Sequence, residues 1–228
     1  MRRSRFFLAS ALAFAACAGI PTPDPGEALV WGYVRLVPKQ GTEASGSYGD
    51  RRFREVARVD YSQPGFSVVF AEAGAARPAA PAQLRIELAA GRAVWSQEHA
   101  AVARGGEIRI ENATPAAVSV SAPEAAFVAT LAAGETGSFS PPGSGELTLH
   151  LLGVRGGSAQ VWVSPGPFAI AEPSGRYVLR GLAPGSARIR AWHPRLPPSA
   201  PRPIALAAGA ATRLDLEIGL GHREELQP

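Results

Sequence analysis

Leu147, Leu149 and Leu151, followed by Ala159, Val161 and Val163, alternate with other residues at a period of two, and Gly-rich turns separate the runs. An apolar residue at every second position buries one face of an extended chain and leaves the other in water, which a helix of 3.6 residues per turn cannot do. The same short rhythm recurs at Leu84 to Leu88, Ile108 to Ile110, Val118 to Val120, Phe127 to Leu131 and Gly137 to Phe139, with Ala28 to Val37 and Phe66 to Phe70 as further apolar runs. Between them fall most of the 25 glycines and 21 prolines, which make turns and interrupt helices. The Ala-rich piece Ala71 to Ala82 is broken by Pro78 and Pro81 and carries no helical period, so it reads as a loop. An all-β chain is therefore expected, and after an export segment about 200 residues remain, enough for two sandwiches.

The first residues read as an address. Met1 to Ala16 combine a basic start, an apolar run from Phe6 broken only by Ser10, and small residues before Cys17, the layout of an export signal. That run is too short to span a bilayer as a helix. Phe14-Ala15-Ala16-Cys17 resembles a bacterial lipobox, in which the cysteine is lipidated and becomes the new N-terminus. Cys17 is also the one cysteine in the chain, so in an oxidising compartment it has no internal disulfide partner, and acylation removes a free thiol. Ordinary cleavage after Ala16 or Ala18 is the alternative. The expected location is periplasmic, anchored to the membrane by lipidated Cys17, with Ala18 compatible with outer-membrane sorting. Residues 17–28 then form a Pro-rich tether holding the first domain off the surface.

The formal charge of +4 raises the question of a nucleic-acid partner, but Arg2, Arg3 and Arg5 supply three of these charges in a leader without acids. The exported chain is close to neutral. Arg51, Arg52 and Arg54 are its densest basic group and read as a solvated loop. No stripe of the kind phosphate binding needs is present, which excludes nucleic acid.

After Pro165-Gly166-Pro167 the alternation restarts. Arg176, Val178 and Arg180 take one side and Tyr177, Leu179 and Gly181 the other, and Ala183-Pro184-Gly185 supplies a turn before Ala187 to Trp192. A hairpin is expected there. Pro203 to Leu206 and Thr212 to Ile218 follow as two more strands. The expected organisation is a signal peptide at 1–16, the tether at 17–28, a first sandwich at 29–166, a smaller one at 167–220 and a polar tail at 221–228.

Four stretches carry a family resemblance: Ile110-Glu111-Asn112, Leu131 to Thr136, Pro167-Phe168-Ala169 and, most specifically, Ser174 to Leu196. They are similar to the proteins known as methylamine-utilisation or plastocyanin-like proteins, over about Val34 to Leu220. The resemblance implies a cupredoxin-type Greek-key β-sandwich followed by a carboxypeptidase-regulatory-like, or prealbumin-like, β-sandwich. It also implies a copper site, and there the chain departs. The family's motifs place its first His at Val118, its Cys at Leu151, its second His at Val154 and its Met at Gly157. A type 1 copper centre needs a thiolate and two imidazoles, and beyond Cys17 and Met1 the chain has neither cysteine nor methionine. Architecture without copper, and without any cofactor, is what the resemblance implies.

No catalytic motif stands out. His99, in Ser96-Gln97-Glu98-His99, reads as a polar-loop residue with no second His at ligand spacing. His150 precedes Leu151 and should face the other side of its strand; His193 should bond a loop carbonyl at a strand end; His222 lies in the tail. Zinc wants three or four convergent ligands. The four aspartates, Asp24, Asp50, Asp60 and Asp215, are tied to no Ser or His by motif, and no Gly-x-Ser-x-Gly elbow occurs. Glu107 and Glu111 alternate with isoleucines on an amphipathic strand, Gly153 to Gly157 lacks the Lys-Ser/Thr of a phosphate loop, and Asn112-Ala113-Thr114 is a glycosylation acceptor in form only, since the leader is bacterial. Trp162 and Trp192 are expected to pack in a core or a domain junction. Trp95, beside His99, is the expected exposed ring, and the two are the candidate ligand platform.

Three readings of function follow. The first is a non-catalytic envelope lipoprotein that binds an envelope protein or has a structural role. The second is a carbohydrate-binding module using exposed aromatics. The third, a periplasmic metal-binding or electron-transfer protein, requires ligands the sequence lacks.

Overall fold

The computed structural model describes residues 20–38, 59–74, 80–153 and 157–219. Within them the alternating runs become β1 (Ala28–Val37), β2 (Val68–Ala71), β3 (Ala82–Ala89), β4 (Arg92–Trp95), β5 (His99–Ala103), β6 (Ile108–Asn112), β7 (Val118–Ala122), β8 (Phe127–Leu131), β9 (Thr136–Phe139), β10 (Gly145–Leu151), β11 (Ser158–Ser164), β12 (Phe168–Ile170), β13 (Arg176–Leu182), β14 (Gly185–Trp192), β15 (Arg202–Leu206), β16 (Ala211–Arg213) and β17 (Leu216–Gly219). Among the described residues a 3-10 turn at Pro123–Ala125 is the other element. The chain is all-β, and among the described residues no helix is long and apolar enough to cross a membrane.

Strands β3 to β11 make one sandwich from two sheets, ordered β4-β3-β6-β9 and β5-β11-β10-β7-β8. In β3, Ala82, Leu84 and Ile86 are buried while Gln83, Arg85 and Glu87 are exposed. In β10 the buried set is Leu147, Leu149 and Leu151. These faces meet Ile108, Ile110, Val120 and Val161 in one core. β3 runs parallel to β6, and β5 parallel to β11. Parallel neighbours need crossover connections, so the chain passes from sheet to sheet in Greek-key fashion.

The second sandwich has sheets ordered β13-β1-β16, with β17 also on β1, and β12-β2-β14-β15. Its core gathers Val30, Val34, Val69, Tyr177, Leu179, Ile189, Leu216 and Ile218. The boundary expected at 29–166 is therefore not the one the sheets draw, because β1 and β2 pair with strands beyond residue 167. The first sandwich is an insertion between β2 and β12, which are antiparallel neighbours in the register Phe70↔Phe168, Val69↔Ala169 and Val68↔Ile170. A whole domain stands where a hairpin turn would. The two crossings touch: the Ala71 N–H donates to Pro167 O at 2.9 Å. A Cβ on Gly166 would lie 2.7 Å from Ala71 O and 2.8 Å from Ala73 O, so only glycine permits this approach.

Two strand expectations also change. Arg176 to Trp192 is not a hairpin, since β13 pairs with β1 in one sheet and β14 with β2 and β15 in the other. The Ala183-Pro184 turn is an arch between sheets. A turn plus alternation serves either geometry, and the choice lies with the partners. Thr212 to Ile218 is split at Leu214-Asp215, where Leu214 donates its N–H to Trp31 O and accepts the Tyr177 hydroxyl, and Asp215 Oδ1 accepts the Tyr33 N–H. Gly32 makes room for this kink, as a Cβ there would sit 2.1 Å from Leu214 O. The tether does not stand off along its described part. Arg180 Nη1 donates to Thr22 O at 2.8 Å and the Gly209 N–H to Glu27 O at 2.7 Å, which holds residues 22–27 to the second sandwich.

Candidate functional site

The positions at which the resemblance puts copper ligands are hydrocarbon. Val118 opens β7 and Leu151 closes β10, 9% and 3% exposed in the first core. The Leu151 N–H donates to Gly157 O at 2.7 Å, and a Cβ on Gly157 would meet Leu151 Cβ at 2.9 Å. Leucine thus occupies the room a side chain at 157 needs. Val154 lies outside the described residues. With no nitrogen or sulfur donor at the other three positions, these residues do not fit a copper ion. His150 is exposed, as strand parity requires.

Asn112, next to these positions, is internal. It is 0% exposed; its amide donates to the carbonyls of Ala116, Leu131 and Ala132, and its Oδ1 accepts the N–H and the hydroxyl of Thr114. One side chain ties the end of β6 to the end of β8. Glu107 and Glu111 lie on a solvated face, where Arg109 pairs with the first at 2.8 Å and Arg85 with the second at 3.9 Å.

The expected platform of Trp95 and His99 is not a surface. Trp95 ends β4 in one sheet and His99 opens β5 in the other, so the chain crosses the sandwich between them. Trp95 turns into the first core at 7% exposure. His99 is a strand residue opposite Gln160, not part of a loop.

What the fold brings to His99 is His193. The two imidazoles line a cleft of about 220 Å³ with Asp60, Gln63, Phe66 and Arg195. His193 Nδ1 accepts the Arg195 N–H at 3.1 Å, which places the neutral ring's proton on Nε2. Phe66 stacks on His99 at 5.6 Å and meets Trp192 edge-on at 6.4 Å. Trp192 stacks on Trp162 at 5.1 Å, and Trp162 lies 5.0 Å from Phe70. Trp162 comes from the first sandwich and its partners from the second, so this aromatic run is the seam between them. Trp162 and Trp192 are the junction residues their sequence context suggests.

Burial against the seam lowers the proton affinity of both imidazoles. His193 is pushed down to about 4, first by desolvation and then by the charges of His99 and Arg195. His99 moves the same way through desolvation, with Arg195 adding to the effect while Glu98 and the Gln160 hydrogen bond oppose it. Two neutral imidazoles face the cleft at pH 7. Asp60 is engaged by the Ser62 N–H and hydroxyl, and among the described residues no three His, Cys, Asp or Glu converge to hold a metal ion. The pair joins residues far apart in sequence, and no spacing rule could have found it.

Partly exposed aromatics occur on the outer face of the second sandwich. Trp31 and Tyr33 of β1 lie opposite Val178 and Arg176 of β13. The Arg213 guanidinium sits 5.5 Å over the Trp31 ring and pairs with Asp215 at 3.0 Å. Tyr177 is internal, and Tyr48 lies outside the described residues.

No protein-family model and no curated protein matches the chain. Among solved structures it is similar to one described as "Novel Purple Cupredoxin from Nitrosopumilus maritimus", at 15% identity over 36% of this chain and 99% of that one, with a TM-score of 0.33. A likeness of that score carries no argument by itself. Strand order and core make residues 82–164 a two-sheet β-sandwich.

Proposed function

We propose that the chain is a non-catalytic, exported lipoprotein of the bacterial envelope whose cupredoxin-like scaffold serves as a binding or structural module for another envelope protein. The observation that supports this most is the chemistry at the family's ligand positions, where Val118 and Leu151 are aliphatic and Gly157 has no side chain. A scaffold kept while its donors are gone cannot hold an ion for electron transfer. What it offers instead is shape. Two chain crossings and a stacked aromatic seam join the sandwiches, and a pre-organised surface binds a partner with little ordering cost. The periplasmic, membrane-anchored location rests on the leader and on the lipobox-like run ending at Cys17. Carbohydrate binding through Trp95 is not part of the proposal, because that ring is inside the first core.

Affinity capture of the tagged full chain from its native envelope, followed by mass spectrometry, tests the reading. The expected result is one envelope protein recovered in near-stoichiometric amount, and an acylated Cys17 in the same sample. Recovery of the bait alone at native expression counts against a partner. A visible charge-transfer band on stoichiometric copper addition would overturn the reading altogether.

A further inference from the structure

We infer that the outer face of the β13-β1-β16 sheet, around Trp31, Tyr33, Arg35 and Arg176, rests on the lipid headgroup layer of the membrane that holds Cys17. This depends on the lipoprotein reading above and adds which side of the molecule meets the lipid.

The first support is reach. Thr22 is held against β13 by Arg180, and five residue steps separate it from Cys17. At about 3.3–3.6 Å per residue for a fully extended chain, the lipidated cysteine stays within roughly 18 Å of that hydrogen bond. The second sandwich cannot stand clear of the bilayer. The second support is Ile20, 69% exposed two residues before the held Thr22, on the side of Cys17. An isolated exposed isoleucine is ordinary on a soluble surface, but here it lies three residues from the anchor.

The third support is the face that Arg180 belongs to. Arg176, Val178 and Arg180 share the outward side of β13, and Trp31, Tyr33 and Arg35 that of β1. Trp and Tyr favour the headgroup depth, where the ring is in an apolar setting and the polar end is wet. Arg lays its stem on apolar surface and extends its guanidinium to phosphate oxygens. Charges on this side are close to balance. Asp215 is held by Arg213 and by the Tyr33 N–H, Glu217 lies in register with Arg35, and Asp24 and Glu27 lie in the tether. The contact therefore depends on the short tether and the interfacial side chains, and salt should weaken it little.

The test uses the mature chain from Cys17, coupled through its single thiol to a maleimide-headgroup lipid in phosphatidylethanolamine/phosphatidylglycerol vesicles that carry lipid brominated high on its acyl chains. Bromine quenches only nearby indoles, and Trp95, Trp162 and Trp192 are 7%, 9% and 2% exposed, so quenching reports on Trp31. The expected loss is about a quarter of the emission, Trp31 being one of four tryptophans. It should vanish in Trp31→Phe and at least halve in Arg35→Glu/Arg176→Glu, which leaves the Arg180 contact to the tether in place. Unquenched emission from the coupled chain overturns the inference, as does quenching that persists in Trp31→Phe. So does a Trp31 emission shift on soluble envelope polysaccharide without bromine quenching, which would assign the face to sugar. Coupling bypasses natural acylation, so the mass of Cys17 from the native envelope judges the lipoprotein reading separately.

Discussion

Replacing Asn112 by Asp, a change of one amide for one carboxylate, should cost the first sandwich more than removing the side chain. Asn112 is 0% exposed, and its amide nitrogen reaches the carbonyls of Ala116, Leu131 and Ala132 at 2.8, 2.9 and 3.0 Å. Its Oδ1 accepts from Thr114 N at 3.0 Å and Thr114 Oγ1 at 2.8 Å. Asn112→Ala strands a buried N–H and a buried carbonyl at about 1–3 kcal/mol each, while the partly buried carbonyls can take water, so the expected cost is about 3 kcal/mol. Asn112→Asp keeps the acceptor for Thr114 but aims a carboxylate at three carbonyl oxygens, and an uncompensated buried charge costs about 3–5 kcal/mol. The sign with pH follows. Burial and the carbonyls raise the proton affinity of the new carboxyl in the folded state above its unfolded value of about 3.9. Its penalty is therefore smallest below that value and grows as pH rises, whereas the offset of Asn112→Ala stays flat. Urea denaturation followed by far-UV circular dichroism, at about pH 4 and about pH 7, separates the two. The reasoning fails if Asn112→Asp is the more stable variant at pH 7, or if both lie within about 0.5 kcal/mol of the parent, as surface asparagines do.

Further outcomes follow from the seam and the crossings. Since the folded His193 imidazole sits near 4 against an ordinary 6.5, its contribution is complete above 6.5 and is lost as pH falls toward 4, by about 1–2 kcal/mol once water in the cleft is allowed for. Near-UV circular dichroism of the stacked tryptophans should follow that profile, and His193→Gln should flatten it. Gly166→Ala drives a methyl into two backbone carbonyls where the crossings meet, and should lower stability by about 1–3 kcal/mol in thermal unfolding; an unchanged midpoint refutes the close approach. Replacing residues 73–165 by an Asn-Gly turn should leave a folded second sandwich, because β2 and β12 then form an ordinary hairpin in the same register. It should also self-associate through the uncovered Phe70 and Trp192, readable by dispersed amide NMR signals and by sedimentation. A chain that fails to fold would show that the second core needs the inserted one.

Much of the fold was legible because alternation is a one-dimensional signal. Ala82, Leu84 and Ile86, or Leu147, Leu149 and Leu151, declare their buried side whatever sheet receives them. The absence of any cysteine beyond Cys17 was equally legible, since it needs no coordinates. Less was legible at the seam. Trp95 and His99 are close in sequence and seem a natural pair on paper, yet the crossing from β4 to β5 sends the indole into one core and the imidazole to another boundary.

Composition and period by themselves determined that this is an all-β chain, which side of its clearly alternating strands is buried, and that no cysteine or methionine follows Cys17. Tertiary structure alone decided that β1 and β2 join strands more than a hundred residues away, that Arg176 to Trp192 arches between sheets, and that His99 meets His193. The physical reason is that a period of two specifies a face but not a neighbour. Strand partners are chosen by which non-local pairing closes both cores and buries Phe70, Trp162 and Trp192 together, and that energy belongs to no local stretch of sequence.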